Sequence, residues 1–295
     1  MNIRKRFVLL ACLPVVAHAT PVDQRIDAAS DGQVEVHNIS GDIVVSGWDE
    51  ASVHVTGEIS EAAERLDVRR DGDRVIIEVV YPNDWRGDGN FGGDTDLRIS
   101  LPRGSSLLVE TVSADVTVND VEGEQDLTSV SGDVITETFA AEARLQSVSG
   151  DVLVNGQNAA ARTSASAVSG DVEMNRISGE ISVESVSGDV EIIGGTIERA
   201  ELASVSGDVS LRGELAANAR VRADSTSGDV ELLLSGNTAA DYDLTTFSGG
   251  IDNCFGPRPT RTGRGDSGAS LSFTEGGSGA RVEVSTMSGD IGLCN

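Results

Sequence analysis

The chain has 295 residues, of which 22 are Lys or Arg and 48 are Asp or Glu, so its formal net charge at pH 7 is −26. A surface this acidic repels nucleic acid and anionic membrane faces, which argues against both as partners. The whole chain has only three histidines, which argues against a serine or zinc hydrolase because both need histidine or an equivalent base.

Residues 1–19 have the pattern of a secretory signal peptide. Basic residues at 4–6 precede an apolar run over 7–16, and the stretch ending at Ala19 is a small-x-small cleavage site. We predict cleavage between Ala19 and Thr20, which moves the net charge from −26 to −29, and a periplasmic, secreted or cell-surface location. The alternative is a lipoprotein box at Cys12, whose apolar core would cover only 7–11. No long apolar run follows residue 19, so we expect no membrane insertion of the mature chain.

The segment 20–108 is predicted to form irregular opening coils and a hairpin. Alternating apolar residues over 31–56 predict the first coil. A short helix is one interpretation of 61–70, and a strand from Leu66 onward is the other. A turn at 71–73 followed by the apolar run 75–80 favours a hairpin.

A recurring phrase, Ser-Val-Ser-Gly-Asp-Val, organises the chain from 109 to 295. A period near twenty that tolerates small insertions is typical of one structural unit stacked on itself. We therefore predict a single domain over 20–295, an all-β parallel β-solenoid with coils of about 18–21 residues and regular repeats over 109–295. The serine that precedes the glycine, here called the corner serine, recurs at Ser113, Ser131, Ser149, Ser169, Ser187, Ser206, Ser227, Ser248 and Ser288.

Aligning the repeats on the corner serine predicts which side chains are buried. Apolar residues recur three and five positions after it, as at Val152 and Val154, and four positions before it, as at Leu145. Another valine column stands one position before it, as at Val148. The two columns before the serine are an odd number of residues apart, so one regular strand cannot bury both. We expect a bulge that buries both; the alternative is an outward valine stripe, an exposed ribbon of the kind that binds partners.

The aspartate after each corner glycine is expected to bond its own backbone in an Asx turn. Stacked at roughly 4.8 Å, neighbouring carboxylates repel by about 1 kcal/mol per pair even in water. Water, salt and the turn hydrogen bonds are the expected relief, and weak Ca²⁺ binding along the column is the alternative. We assign no metal site, because the spacing does not match the glycine-rich nonapeptide calcium repeat. The column comprises Asp115, Asp133, Asp151, Asp171, Asp189, Asp208 and Asp229.

Three sequence features together resemble the bacterial DUF4097 family, whose adhesin label rests on shape and which is related in shape to the GIN-domain adhesin heads. The features are residues 41–49 (GDIVVSGWD), residues 97–104 (LRISLPRG) and the Ser-Val-Ser-Gly-Asp-Val repeats. The resemblance covers nearly all of the chain after residue 19. It implies an exported, right-handed β-solenoid and no established activity.

We predict a non-catalytic surface or periplasmic module for adhesion or interaction, without a cofactor, whose partner is a protein or glycan of the cell envelope. The loops 82–96 and 256–268 are the candidate contact regions, because long loops on rigid scaffolds commonly carry binding. Their candidate residues are Trp85, Phe91, Arg264 and Asp266.

Two alternatives to this function stay open. One is a structural or envelope-stress component that recognises no extracellular ligand, and the other is a β-helix carbohydrate-active enzyme. The enzyme would need carboxylates with arginine or lysine in a groove, usually with aromatic platforms for sugar rings. His37 and His54 stand at polar positions beside valines, where a solvated histidine is the ordinary outcome, so we predict no catalytic residue.

Cys254 and Cys294 are predicted to form a disulfide, because an exported setting is oxidising. Each stands six residues after its corner serine, and 40 residues separate them. Two full coils between them would place their Cα atoms roughly 9.6 Å apart, beyond disulfide range, whereas one coil enlarged by the loop 256–268 makes them neighbours at roughly 4.8 Å. We predict the enlarged coil, because Pro257 and Pro259 break strand pairing.

Overall fold

The computed structural model describes residues 20–82, 94–236, 238–263, 265, 267–277 and 279–295. In these ranges the regular structure is entirely β, in one sheet of 22 strands, and no helix there has the length and apolarity to cross a membrane. The opening strands are β1 (Thr20–Asp27), β2 (Gln33–Trp48), β3 (Ser52–Ile59), β4 (Arg65–Asp71), β5 (Arg74–Val80) and β6 (Asp96–Pro102). The regular coils contain β7 (Ser106–Asn119), β8 (Gln125–Ser129), β9 (Val134–Thr138), β10 (Ala143–Ser147), β11 (Val152–Gly156), β12 (Ala160–Ala167), β13 (Val172–Ser187), β14 (Val190–Ser206), β15 (Val209–Ser227), β16 (Val230–Ser235), β17 (Ala240–Ser248) and β18 (Ile251–Asn253). The closing strands are β19 (Thr260–Thr262), β20 (Gly268–Glu275), β21 (Arg281–Ser288) and β22 (Ile291–Cys294).

Each regular coil of this parallel β-solenoid has one stretch of strand leading into the Ser-Gly-Asp corner and one leading out of it. Neighbouring coils pair in parallel and in register, so that Leu127 lies beside Leu145 and Val134 beside Val152. The in-register stacking turns each sequence column into a row along the solenoid axis. The rows three and five positions after the corner serine and four before it face the interior, as their apolar pattern predicts. Val152, Val154 and Leu145 are at most 1% exposed.

The corners lie in one line along an edge of the solenoid, where successive backbones come into close contact. A Cβ atom added to Gly150 would lie 2.2 Å from the carbonyl oxygen of Gly132, and one on Gly132 would lie 2.0 Å from that of Ala114. The same contact repeats from Gly170 to Gly228. Glycine is therefore required at these corners by the carbonyl of the neighbouring coil, because a side chain has no room there.

The last coils do not stack in chain order. The strand β21 pairs in parallel with β15 on one side and with β17 on the other, and β22 lies in the same way between β16 and β18. The C-terminal coil is thus inserted between two coils that precede it in the sequence. The hairpin β19–β20 then covers the terminal coil, because β20 pairs antiparallel with β17.

The opening end departs from chain order in a similar way. The strand β2 pairs with β7 on one side and with β5 and β6 on the other, so the first coil in sequence is not the outermost one. Antiparallel β4 joins β5 as a hairpin, while β3 and then β1 extend the sheet beyond β6. The strand interpretation of the segment from Leu66 is confirmed, and residues 61–62 form a turn rather than a helix.

The disulfide joins Cys254 at the end of the terminal coil to Cys294 in the inserted coil beside it, with Cα atoms 4.9 Å apart. The predicted enlarged coil is confirmed, since β17 and β18 pair directly with β21 and β22, while β19 and β20 between them in the sequence form a hairpin. Tyr242, Phe255 and Phe273 form an aromatic cluster under this hairpin, with ring centroids 4.8 to 6.2 Å apart. Burial raises the pKa of Tyr242 to about 12, with the charge of Glu275 as a further cause.

Candidate interaction surface

A row of apolar side chains points outward along the solenoid, one position before each corner serine. The six valines of this row are 42 to 49% exposed, and Met287 and Phe247 at its end are 60% and 69% exposed. Thr226 interrupts the row between the last valine and Met287. We call this row the apolar stripe; in spatial order it comprises Val112, Val130, Val148, Val168, Val186, Val205, Thr226, Met287 and Phe247.

The expected bulge that would bury this valine row is wrong. The incoming strand alternates regularly, so the column four before the corner serine and the column two before it face inward, and the valine faces outward. The second inward position holds a small polar residue such as Ser129 or Ser147, both at most 4% exposed. The Oγ atoms of these serines accept hydrogen bonds at 2.9 Å from the backbone amides of Gly132 and Gly150. A valine there could not satisfy the corner amide, which explains why the serine is inside.

The stacked aspartates form a second row, three residues along the chain from the stripe. From Asp115 to Asp229, the Oδ1 atom of each carboxylate accepts a hydrogen bond from the backbone amide of the aspartate in the next coil, for example from Asp151 to Asp133 at 2.8 Å and from Asp171 to Asp151 at 2.9 Å, while Asp290 accepts one from the amide of Gly250. The expected Asx-turn bond is therefore replaced by a bond between coils. We call the row the aspartate ladder; it comprises Asp115, Asp133, Asp151, Asp171, Asp189, Asp208, Asp229 and Asp290.

The backbone amides of the neighbouring coils soften the repulsion between the ladder carboxylates without supplying a positive charge. At the equivalent corner of β2, partial burial raises the pKa of Asp42, and the carboxylates of Asp96 and Asp115 raise it further. Among the described residues, no group of three or more His, Cys, Asp or Glu side chains is placed to hold a metal ion. The ladder thus carries exposed negative charge beside the stripe.

In the coils from Val130 to Val205, the strip of surface around the apolar stripe has only negative side-chain charges, whereas at the Phe247 end Arg261 donates a hydrogen bond to the carbonyl of Gly249. Between the third residue before each corner serine and the second after it, the repeats from 110 to 290 contain no Lys or Arg. On the side of the stripe away from the ladder, the outward row holds Glu110, Glu184 and Asp224 among neutral residues. A groove of about 550 Å³ runs across this strip, and Val168, Val186 and Val205 line it.

Arg144 and Arg162 lie farther back on the incoming strands, where carboxylates neutralise them, whereas Arg212 lies on an outgoing strand and lines a groove with Asp208 and Asp229 of the ladder. Arg144 contacts Glu142 at 3.1 Å and Arg162 contacts Glu180 at 2.7 Å, and the hydrogen bond that Arg162 donates to Glu180 raises the pKa of Arg162. These pairs line a groove of about 460 Å³ that contains no aromatic side chain. The carboxylates and arginines that a carbohydrate-active enzyme would need thus occur together, but as exposed ion pairs.

The candidate residues from the loops cannot be placed on this surface. Trp85 and Phe91, and likewise Arg264 and Asp266, lie outside the described residues, as does Ala19, whereas Thr20 begins β1. The two described histidines are far from each other, and only His37 borders the surface, because it pairs in register with Glu110 of the outward row. His37 lies 3.2 Å from Glu110, and His54 lies 2.8 Å from Asp23.

Sequence reasoning found the columns of the stripe but assigned the wrong direction to the valines. The signal was present in the serine two positions before the corner serine. An ordinary apolar interior position would repeat valine from coil to coil. A small hydroxyl residue in nearly every coil instead indicates a tight inward position whose side chain bonds the backbone.

The fold and this surface define a parallel β-solenoid protein with an apolar row and an acidic row along one edge. The chain belongs to the Toastrack DUF4097 family, whose model matches residues 32–293. No curated protein matches the sequence.

Three solved structures are similar to the chain at low identity. A putative adhesin from Bacteroides fragilis is 10% identical, with 94% of this chain and 98% of that chain covered and a TM-score of 0.46. A putative lipid binding protein from Parabacteroides distasonis is 12% identical over 93% of this chain and 97% of that one, with a TM-score of 0.41. A putative adhesin from the same species is 10% identical over 94% and 98%, with a TM-score of 0.30.

Proposed function

We propose that this protein is an exported, non-catalytic interaction module of the cell envelope that holds a polypeptide partner against the apolar stripe. The observation that carries the proposal is the stripe itself. Valines half exposed in six successive coils form a continuous apolar surface rather than scattered apolar residues, and beyond Thr226 an exposed Met and Phe extend the row. Contiguous apolar surface on a soluble protein commonly marks an interaction site.

A polypeptide fits this surface better than a glycan does. Aliphatic side chains dominate the stripe, and sugar rings stack mainly on aromatic side chains. The described grooves along the coils are lined without aromatic residues. The predicted signal peptide over 1–19 and the disulfide both agree with an oxidising compartment outside the cytoplasm.

The rival functions are weaker for specific reasons. A component that recognises no ligand would have no use for an apolar row that raises the risk of aggregation. A glycosidase needs a carboxyl group with a raised pKa as its general acid, whereas the carboxylates of the arginine groove are exposed and ion-paired. Release of reducing sugar by the purified protein, abolished in Glu180→Gln, would support the enzyme instead.

Site-specific photo-crosslinking in cells that export the protein tests the proposal. A photoreactive phenylalanine analogue replaces Val148 or Val186 in the stripe, and in a matched control it replaces Ile135, which is 38% exposed on the outgoing strands. We expect the two stripe positions to yield an adduct with one discrete polypeptide and Ile135 to yield none. Equal adducts from all three positions, or none from the stripe, would contradict the proposal.

A further inference from the structure

The charges around the apolar stripe restrict the chemistry of its partner. On one side runs the aspartate ladder, and on the other side the nearest outward row contains Glu110, Glu184 and Asp224. Asp224 pairs with Arg222, whose Nε atom lies 2.6 Å from its carboxylate, and Glu110 lies 3.2 Å from His37. In the middle coils between Val130 and Val205 the negative charge therefore comes from the ladder and from Glu184. An apolar segment that covers the stripe must therefore bring its edges close to carboxylates.

A second copy of this chain is disfavoured as the occupant. If two stripes face each other about an axis parallel to the solenoid, each aspartate ladder lies opposite the row that holds Glu110 and Glu184. That arrangement offers no cation to either ladder, and each chain has a net charge of −26. Like charges brought together at an interface cost binding free energy.

An anionic lipid surface is disfavoured for the same reason, because the ladder would face the headgroups. A partner with apolar residues at its centre and Lys or Arg along both edges satisfies both parts of the surface. Resting on the proposed function, we infer that the stripe binds a cationic amphipathic polypeptide segment.

The dimensions of the stripe fit such a segment in helical form. Six coils from Val112 to Val205 span about 24 Å at the spacing of parallel strands, which is the length of a helix of about 16 residues. One helical turn rises about 5.4 Å, against about 4.8 Å for one coil, so four turns drift by about half a coil. A helix of about four turns can therefore keep one apolar side chain near each groove between valines, with its lysines above the carboxylates.

Peptide titration tests the inference with defined probes. The first probe is a labelled amphipathic helix of about 18 residues, built from Leu on one face and Lys on its flanks. The second has the same composition in scrambled order, and the third has Glu in place of Lys. We expect the first to bind the mature protein with an affinity that falls as salt rises, and the other two to bind at least tenfold more weakly.

Two triple variants assign the binding to the surface. Val148→Ser with Val168→Ser and Val186→Ser leaves the charge unchanged, and we expect it to weaken the first peptide at least tenfold. Asp151→Asn with Asp171→Asn and Asp189→Asn should weaken it by a similar factor and flatten its salt dependence. The double variant Ile135→Ser with Ile193→Ser removes two exposed apolar residues from the other strands and should bind as the wild type does. Urea denaturation confirms that each variant is folded before it is titrated.

Each remaining outcome overturns the inference in a distinguishable way. Equal binding of the lysine and glutamate peptides would remove the charge argument, while a stripe-specific crosslink would leave the proposed function standing. Equal binding to the wild type and the valine variant would mean that the peptide senses net charge alone. A crosslink from Val148 to a second copy of the chain, or co-sedimentation with phosphatidylcholine vesicles that the valine variant loses, would assign the stripe to those occupants instead.

Discussion

Two single valine-to-serine variants in one coil, compared with each other, test the outward direction of the apolar stripe. Val148 belongs to the stripe and is 44% exposed, whereas Val152, four residues later in the same coil, is 1% exposed. Complete burial of a valine side chain contributes about 1.5 to 3 kcal/mol, so the half-buried Val148 contributes about 1 kcal/mol.

The serine at position 152 costs more than the lost transfer free energy. It leaves a small cavity between neighbouring coils and buries a hydroxyl group among apolar side chains, which adds about 1 to 3 kcal/mol. We therefore expect Val152→Ser to lower the free energy of unfolding by about 3 to 5 kcal/mol, and Val148→Ser by about 1 kcal/mol.

Urea denaturation followed by circular dichroism measures both values under identical conditions. The slope of each transition should be compared as well, because stacked repeats can unfold in parts rather than in one step. Costs within about 1 kcal/mol of each other would mean that Val148 is packed inside, and the outward stripe would be refuted together with the docking proposal.

Four further predictions follow from the corners and the closing coils. Gly150→Ala should lower the free energy of unfolding in urea by about 3 kcal/mol or more, because the new Cβ would lie 2.2 Å from the carbonyl oxygen of Gly132. The control Gly292→Ala, whose Cβ would lie 3.5 Å from its nearest neighbour, should cost less than about 1 kcal/mol. Equal costs would contradict the tight corner. Asp151→Asn keeps an oxygen for the amide of the next coil and removes one of several stacked charges, so we expect a melting temperature at or slightly above that of the wild type at low salt; a strong calcium-induced rise in the wild type that this variant loses would instead reveal a metal site. Cys254→Ser opens a loop of 40 residues and should cost about 4 kcal/mol, while an unchanged melting temperature on reduction of the wild type would contradict this role. The pKa of Tyr242, raised to about 12 in the folded protein from its ordinary value of 10.0, predicts full stability below pH 10 and a loss of stability as pH rises towards 12. Tyr242→Phe should largely remove this loss, and absorbance titration of the phenol checks the pKa.

The sequence by itself determined the repeat, the corners and the interior. Because the coils stack in register, a single alignment on the corner serine predicted buried rows such as those of Leu145 and Val152, and the structure has them buried. The same alignment, together with the prolines at 257 and 259, predicted that Cys254 and Cys294 lie in neighbouring coils. These features are local or periodic, so each coil repeats the evidence for them.

Only the tertiary structure decided the direction of the valine row, the partners of the aspartates and the order of the coils at both ends. The direction of Val148 depends on which neighbour is inside, and Ser147 takes that place because its hydroxyl bonds the amide of Gly150 in a corner too tight for a branched side chain. The bond from the amide of Asp151 to Asp133 exists only between stacked coils, so no single coil encodes it. The insertion of β21 and β22 between earlier coils depends on matching exposed strand edges, and all coils here have nearly the same edge. Sequence repetition therefore specifies that coils stack, while the contacts of the completed solenoid determine which coil lies beside which.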